Sequence, residues 1–245
     1  MVIVFIGIAF VVAVFWILLS GSGGNERNFD KENREKGFEL EEKVYQSVKN
    51  HAVEEGRYER YIRNAYVPLS DGNTTEIDLI VVNEKGISAF ESKYRDGTIG
   101  NVFTDPKAEY WDCVHYSSDR RVQTHYKIYN PIKQNYHHIY ALKKFLEKNR
   151  VLLPKRTRNY VVFGGDVSIG RTIFNCRYDG RVYRYSSDVG KYFSDDQKYN
   201  VREISYSKKQ IDEVADFIEK NCCNVSPSIK KKHIKYVTSK VRASS

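Results

Sequence analysis

The sequence predicts an α/β or α+β domain in which a central sheet is flanked by helices. Three observations carry that expectation: an amphipathic stretch from about Lys31 to Glu55, two strand-like runs directly after it, and a second amphipathic helix opened by Asn130-Pro131. The chain has 245 residues, 41% apolar and 13% aromatic, which is length and material for one domain with a closed core. Wholesale disorder is therefore excluded. Cys113, Cys176, Cys222 and Cys223 make neither a disulfide framework nor the paired CxxC spacing of a zinc site, and read as reduced thiols.

In the first helix Phe38, Val44, Tyr45, Val48 and Ala52 fall on one stripe. The runs Glu76–Val82 (EIDLIVV) and Ile87–Lys93 (ISAFESK) are separated by Asn83-Glu84-Lys85-Gly86, a turn sequence, and so form a hairpin. Asn130 is placed to cap the second helix, with Pro131 at its first position; the helix runs to about Lys148 with Ile132, Tyr136, Ile139, Leu142 and Leu146 inward. Tyr160–Phe163, Arg171–Phe174 and Arg181–Tyr185 are strand candidates whose pairing the sequence leaves open. Ser207 followed by Gln210 has the spacing of a capping box, and the helix it opens should bury Ile211, Val214, Ala215 and Ile218.

The two ends of the chain are of different character. Met1–Leu19 carries no charged side chain and is about long enough to cross a ~30 Å hydrocarbon layer, so it reads as a transmembrane helix. A cleaved signal peptide fits less well, because nothing basic precedes the apolar run and the run is long. Arg27, Lys31, Arg34 and Lys36 follow the span and no Lys or Arg precedes it, which places the rest of a single-pass membrane protein in the cytoplasm. Residues 20–32 read as a linker, residues 33–221 as the folded domain and residues 222–245 as a basic tail. Beyond Glu219 there is no acid and there are seven basic residues, within an overall charge of +9. Such a tail suits the phosphates of nucleic acid or an anionic lipid surface.

The hairpin also points to chemistry. If Val82 pairs with Ile87 across the turn, the same register sets Asp78 opposite Glu91, with Cβ atoms about 4.5 to 5.5 Å apart. Two carboxylates so placed repel one another, and a hard divalent cation bound by their oxygens is the simplest compensation. Lys93, two residues beyond Glu91, shares its face of the strand and brings an ammonium to the same place. Glu41 lies inside the apolar stripe of the first helix, where an inward carboxylate wants a cation or a hydrogen-bond donor. Each residue has a plainer reading: an ion pair between Asp78 and Lys93, and a Glu41 that reaches out to solvent. The convergence of three acids and a lysine favours the site. His137 and His138, adjacent on a helix, point about 100° apart and do not chelate one ion together.

In chain order, Gly37-x3-Glu41, Thr75-Glu76-Ile77-Asp78-x-Ile80-Val81-Val82, Gly86-Ile87, Glu91-x-Lys93, Gly97-x-Ile99-Gly100, Trp111 and Asn130-Pro131-x2-Gln134-Asn135 resemble the NERD, or nuclease-related, domain. That family is placed in the PD-(D/E)xK superfamily, and the resemblance covers about residues 33 to 150. It implies a restriction-endonuclease-like core with a mixed sheet flanked by helices, and a Mg²⁺- or Mn²⁺-dependent phosphodiesterase acting on DNA rather than RNA. It further implies Asp78 and Glu91 as metal ligands, Glu41 as an accessory ligand or water-holder, Lys93 as the group that activates water or steadies the phosphate, and Gln134 as a contact to the substrate backbone. Ser92 and the Glu41-Glu42 pair depart from the common family wording. A fold hosts sites without guaranteeing them, so a membrane-tethered module that binds nucleic acid or a protein without cutting is the alternative.

Overall fold

In the computed structural model, residues 26–94, 97–100, 108–116, 123–165, 167–169, 180–184, 188–200 and 204–243 are described. Helix α1 (Glu26–Glu54) leads into the antiparallel strands β1 (Glu59–Pro68), β2 (Thr74–Asn83) and β3 (Gly86–Tyr94). Then follow β4 (Gly97–Gly100), β5 (Tyr110–Tyr116), β6 (Gln123–Tyr129) and α2 (Pro131–Lys148). The chain continues through β7 (Thr157–Gly164), β8 (Val167–Ile169), β9 (Gly180–Arg184) and α3 (Val189–Asn200). Helix α4 (Lys208–Ile218) runs on through a π turn (Glu219–Cys223) to α5 (Pro227–Ala243).

The main sheet has the order β1-β2-β3-β7-β9 and a second sheet the order β6-β5-β4-β8. The main sheet is mixed: β7 runs parallel to β3 and β9 parallel to β7. A parallel neighbour needs a crossover, and α2 supplies its helix. Both faces of the sheet are covered, which is why β2 reads as a nearly unbroken apolar run rather than an alternation. Ile80 and Val82 pack with Ile139, Leu142 and Leu146 of α2 and Ile211, Val214 and Ile218 of α4. Leu79 and Val81, on the opposite face, pack with Leu40, Val44 and Val48 of α1 and Phe193 of α3.

The helix ends follow the expected chemistry. The Asn130 side chain accepts from the backbone N–H groups of Ile132 and Lys133, and Ser207 with Gln210 completes both halves of a capping box. At the hairpin turn Gly86 has φ of 121°, and a Cβ there would lie 2.4 Å from the Arg156 carbonyl oxygen, so only glycine fits.

Several sequence expectations are corrected. On α1 it is Leu40 that is buried with Val44 and Val48, while Phe38 and Tyr45 are half-buried. On α2 Ile132, Ile139, Leu142 and Leu146 are buried as expected, but Tyr136 is 38% exposed and the polar Asn135 and His138 are buried instead, with partners on the strands beneath the helix. Strand β1 is an element that the sequence pattern does not predict. The basic segment at the C-terminus is no loose extension: Pro227–Ala243 is helical and inserts His233, 4% exposed, beside β2. Arg171–Phe174 and Met1–Leu19 lie outside the described residues, among which no helix is long and apolar enough to cross a membrane.

Candidate active site

The β2–β3 ladder starts at Asn83–Gly86 and ends at Leu79–Phe90, in the register expected from the sequence. The next opposed positions are Asp78 and Glu91, and there the strands part. Asp78 Oδ2 accepts the backbone N–H of Ser92 at 2.8 Å in place of a ladder bond. On the other side of β2 the ladder to β1 holds at Arg63–Leu79 and Ala65–Ile77, while Asn64 between them takes φ of 51°. Asp78 therefore sits at an interruption in both ladders. Asn tolerates this left-handed backbone better than most residues.

Glu91 is the centre of the cluster and is 3% exposed. Its Oε1 accepts from Lys93 Nζ and, at 2.9 Å, from Gln134 Nε2. Its Oε2 has no hydrogen-bond partner, nor has the buried Oε1 of Gln134. His138 Nε2 lies 3.4 Å from Glu91 Oε2, close enough for attraction but not aligned for a hydrogen bond. The other ring nitrogen of His138 is 2.6 Å from Thr75 Oγ1. Gln134, expected at the substrate backbone, thus has its Nε2 on Glu91.

The charges of the cluster act on one another. Burial raises the Asp78 carboxyl well above its ordinary value, and the neighbouring charges of Glu91 and Glu41 push it further. Burial, then Glu76 and Glu91, lift Glu41 to about 8. Burial, helped by Glu91, lifts Glu76 to about 7. Burial works the same way on Glu91, but Lys93 and His138 overcome it and hold that carboxyl down to about 2. The arrangement gathers one firmly ionised carboxylate and three that resist ionisation.

Glu41, Asp78, Glu91, Lys93 and Gln134 are brought together as a connected group. Glu76, His138 and Thr75 join them and were not singled out by sequence reasoning. The trace of His138 was its spacing, one helical turn beyond Gln134. Among the described residues no three His, Cys, Asp or Glu side chains stand ready to hold a metal ion. The donors nevertheless suit a hard cation: they are carboxylate and amide oxygens, and two of them, Glu91 Oε2 and Gln134 Oε1, are buried acceptors without a donor.

Glu41→Gln should stabilise the metal-free protein at alkaline pH. Between about 4.5, its ordinary value, and about 8 the folded chain keeps the Glu41 proton while the unfolded chain releases it, so stability falls as pH rises through that window. The amide removes that loss. Melting in EDTA should show a gain of roughly 1 to 2 kcal/mol at pH 8 and little change at pH 5. An equal effect at both values would mean that Glu41 is solvated.

A family model described as nuclease-related domain matches residues 36–164, just over half of the chain. The match runs from α1 to the end of β7 and contains every residue of the cluster, while α3, α4 and α5 lie beyond it. No curated protein and no solved structure matches the chain.

Proposed function

This chain belongs to the nuclease-related domain (NERD) family, and on that premise we propose that it is a divalent-metal-dependent nuclease that hydrolyses phosphodiester bonds of DNA. The observation that carries the reading is the pair of buried, donorless oxygens, Glu91 Oε2 and Gln134 Oε1, beside an Asp78 that joins neither ladder. Asp78 and Glu91, with Glu41 as accessory, would hold Mg²⁺ or Mn²⁺. Such an ion, when bound, polarises the phosphate and lowers the pKa of a bound water. Lys93 keeps Glu91 ionised and presents a positive charge where charge develops on the phosphate. Gln134 fixes the orientation of the Glu91 carboxylate by donating from Nε2 to Glu91 Oε1. His138, held by Thr75, closes the far side of the same carboxylate.

The proposal includes a membrane anchor at residues 1–19 with the domain on the cytoplasmic side. Its support is the uncharged run and the one-sided basic flank of the sequence.

The test uses the full chain in non-ionic detergent with supercoiled and linear DNA. Nicking in Mg²⁺ or Mn²⁺, absent in EDTA and lost in Asp78→Ala, is the expected result. DNA binding without cutting under every metal condition would replace the nuclease with the non-catalytic module.

A further inference from the structure

We infer that α5 is the surface on which the substrate's phosphate backbone docks, its outward lysines flanking the acidic site. This rests on the nuclease reading for the identity of the substrate, and on separate observations for the surface itself.

The first observation is charge. Residues 227–243 contain Lys230, Lys231, Lys232, Lys235, Lys240 and Arg242 and no acid. The second is placement. His233 is buried against the start of β2: its Nδ1 is 2.8 Å from the Thr74 carbonyl oxygen and 3.1 Å from Thr74 Oγ1, and its ring meets Tyr66 edge-on at 5.4 Å. Lys232 donates to the Gly72 carbonyl at 2.6 Å, and Lys230 stands 5.5 Å over the Tyr66 ring. The helix is therefore pinned to the turn and first residues of the strand that carries Asp78. Thr75, next to the Thr74 that holds His233, holds His138 against Glu91. One strand step separates the anchor of the basic helix from the support of the acidic centre.

The third observation is orientation. Lys231 and Lys235 lie two residues to either side of His233, which places them about 160° to 200° around the helix from it. Both are exposed. The lysines thus face solvent because the opposite side is spent on the protein.

Nothing in the acidic site itself attracts a polyanion, since its one firmly ionised carboxylate, Glu91, is already matched by Lys93, and a fixed positive surface beside the site is what lets a phosphate backbone settle there. A bilayer is the other anionic partner. A helix that lies in a membrane inserts its apolar face, and here the face bearing His233 is packed on β1 and β2. The observations favour nucleic acid.

The experiment is binding of a fluorescent DNA duplex to the full chain in non-ionic detergent with EDTA, so that nothing is cut, across a series of KCl concentrations. Replacing both lysines (Lys231→Ala with Lys235→Ala) should weaken binding roughly tenfold near 0.1 M salt and make the plot of log affinity against log salt shallower by about 2, one per lost phosphate contact. An unchanged melting temperature keeps the comparison valid, since neither side chain is buried. Wild-type slope and affinity in the double variant would overturn the inference. So would unchanged DNA binding together with lost co-sedimentation with phosphatidylserine vesicles, which would assign α5 to lipid. If the chain binds DNA through these lysines but never cuts it, the docking surface stands and the nuclease reading falls. If it cuts in an Asp78-dependent way and the lysines do not matter, the reverse holds.

Discussion

Lys93→Ala should lower metal-dependent DNA cleavage by about 10²- to 10³-fold, the usual cost of removing one preorganised charge or donor aimed at a transition state. The same change should destabilise the protein by about 3 kcal/mol at neutral pH, because it leaves a buried carboxylate without its counter-charge. The pH dependence separates this from ordinary loss of packing. Glu91 titrates at about 2 in the fold and near 4.5 unfolded, so its ionisation contributes stability above about 4.5 that is lost as pH falls towards 2. Without Lys93 that contribution disappears. The penalty should therefore be largest near pH 7 and shrink as pH approaches 4, where Glu91 in the variant is free to take up a proton. Urea denaturation of both proteins at pH 7 and pH 4 measures it. A penalty independent of pH would mean that the ammonium does not serve Glu91. Lys93→Arg keeps the charge with a different donor geometry and should restore much of the stability while recovering little of the rate.

The acidic centre was legible because a hairpin has few ways to be wrong. Both faces of β2 and β3 are buried, so a slip by one residue would exchange the Ile80 and Val82 set with the Leu79 and Val81 set, and the four-residue turn at Gly86 holds the register. Once that register is set, the positions of Asp78, Glu91 and Lys93 follow from the period of two. Strand β1 was illegible for a related reason. Its Arg60 is accommodated by Asp212, Asp216 and Glu219 at 2.7 to 3.0 Å, partners more than 150 residues away that make a charged run into a sheet edge under α4. The parallel pairing of β3, β7 and β9 is a property of crossovers, which short apolar runs do not announce. The helical C-terminal segment was hidden because one buried histidine and the contacts of two lysines hold it, and such residues in a lysine-rich stretch have no apolar periodic signature.

Asn135 gives the largest stability effect expected outside the charged cluster, and it is the residue that corrects the face of α2. The side chain is fully buried. Its Nδ2 faces the Ala89 carbonyl oxygen at 2.9 Å, Asn159 Oδ1 at 2.9 Å and the Tyr160 carbonyl oxygen at 3.1 Å, while Asn159 Nδ2 returns to the Ile132 carbonyl at 2.8 Å. One amide thus joins α2 to the adjacent strands β3 and β7. Asn135→Ala removes that donor from buried acceptors and leaves a small cavity, for a loss of about 3 kcal/mol, or roughly 6 to 12 °C in melting temperature for a domain of this size. Asn135→Leu fills the volume and should not rescue, because the acceptors stay unpaired. Tyr136→Ala, one residue on, should cost less than about 0.5 kcal/mol since the ring is largely in solvent. Thermal melts of the three variants decide between the two faces: a larger loss at position 136 than at 135 would restore the apolar stripe read from the sequence. The effect should extend to the chemistry, because Gln134 and His138 reach Glu91 from the same turns of α2 that Asn135 holds down. Measured well below its melting temperature, Asn135→Ala should still lose cleavage, through positioning rather than through unfolding.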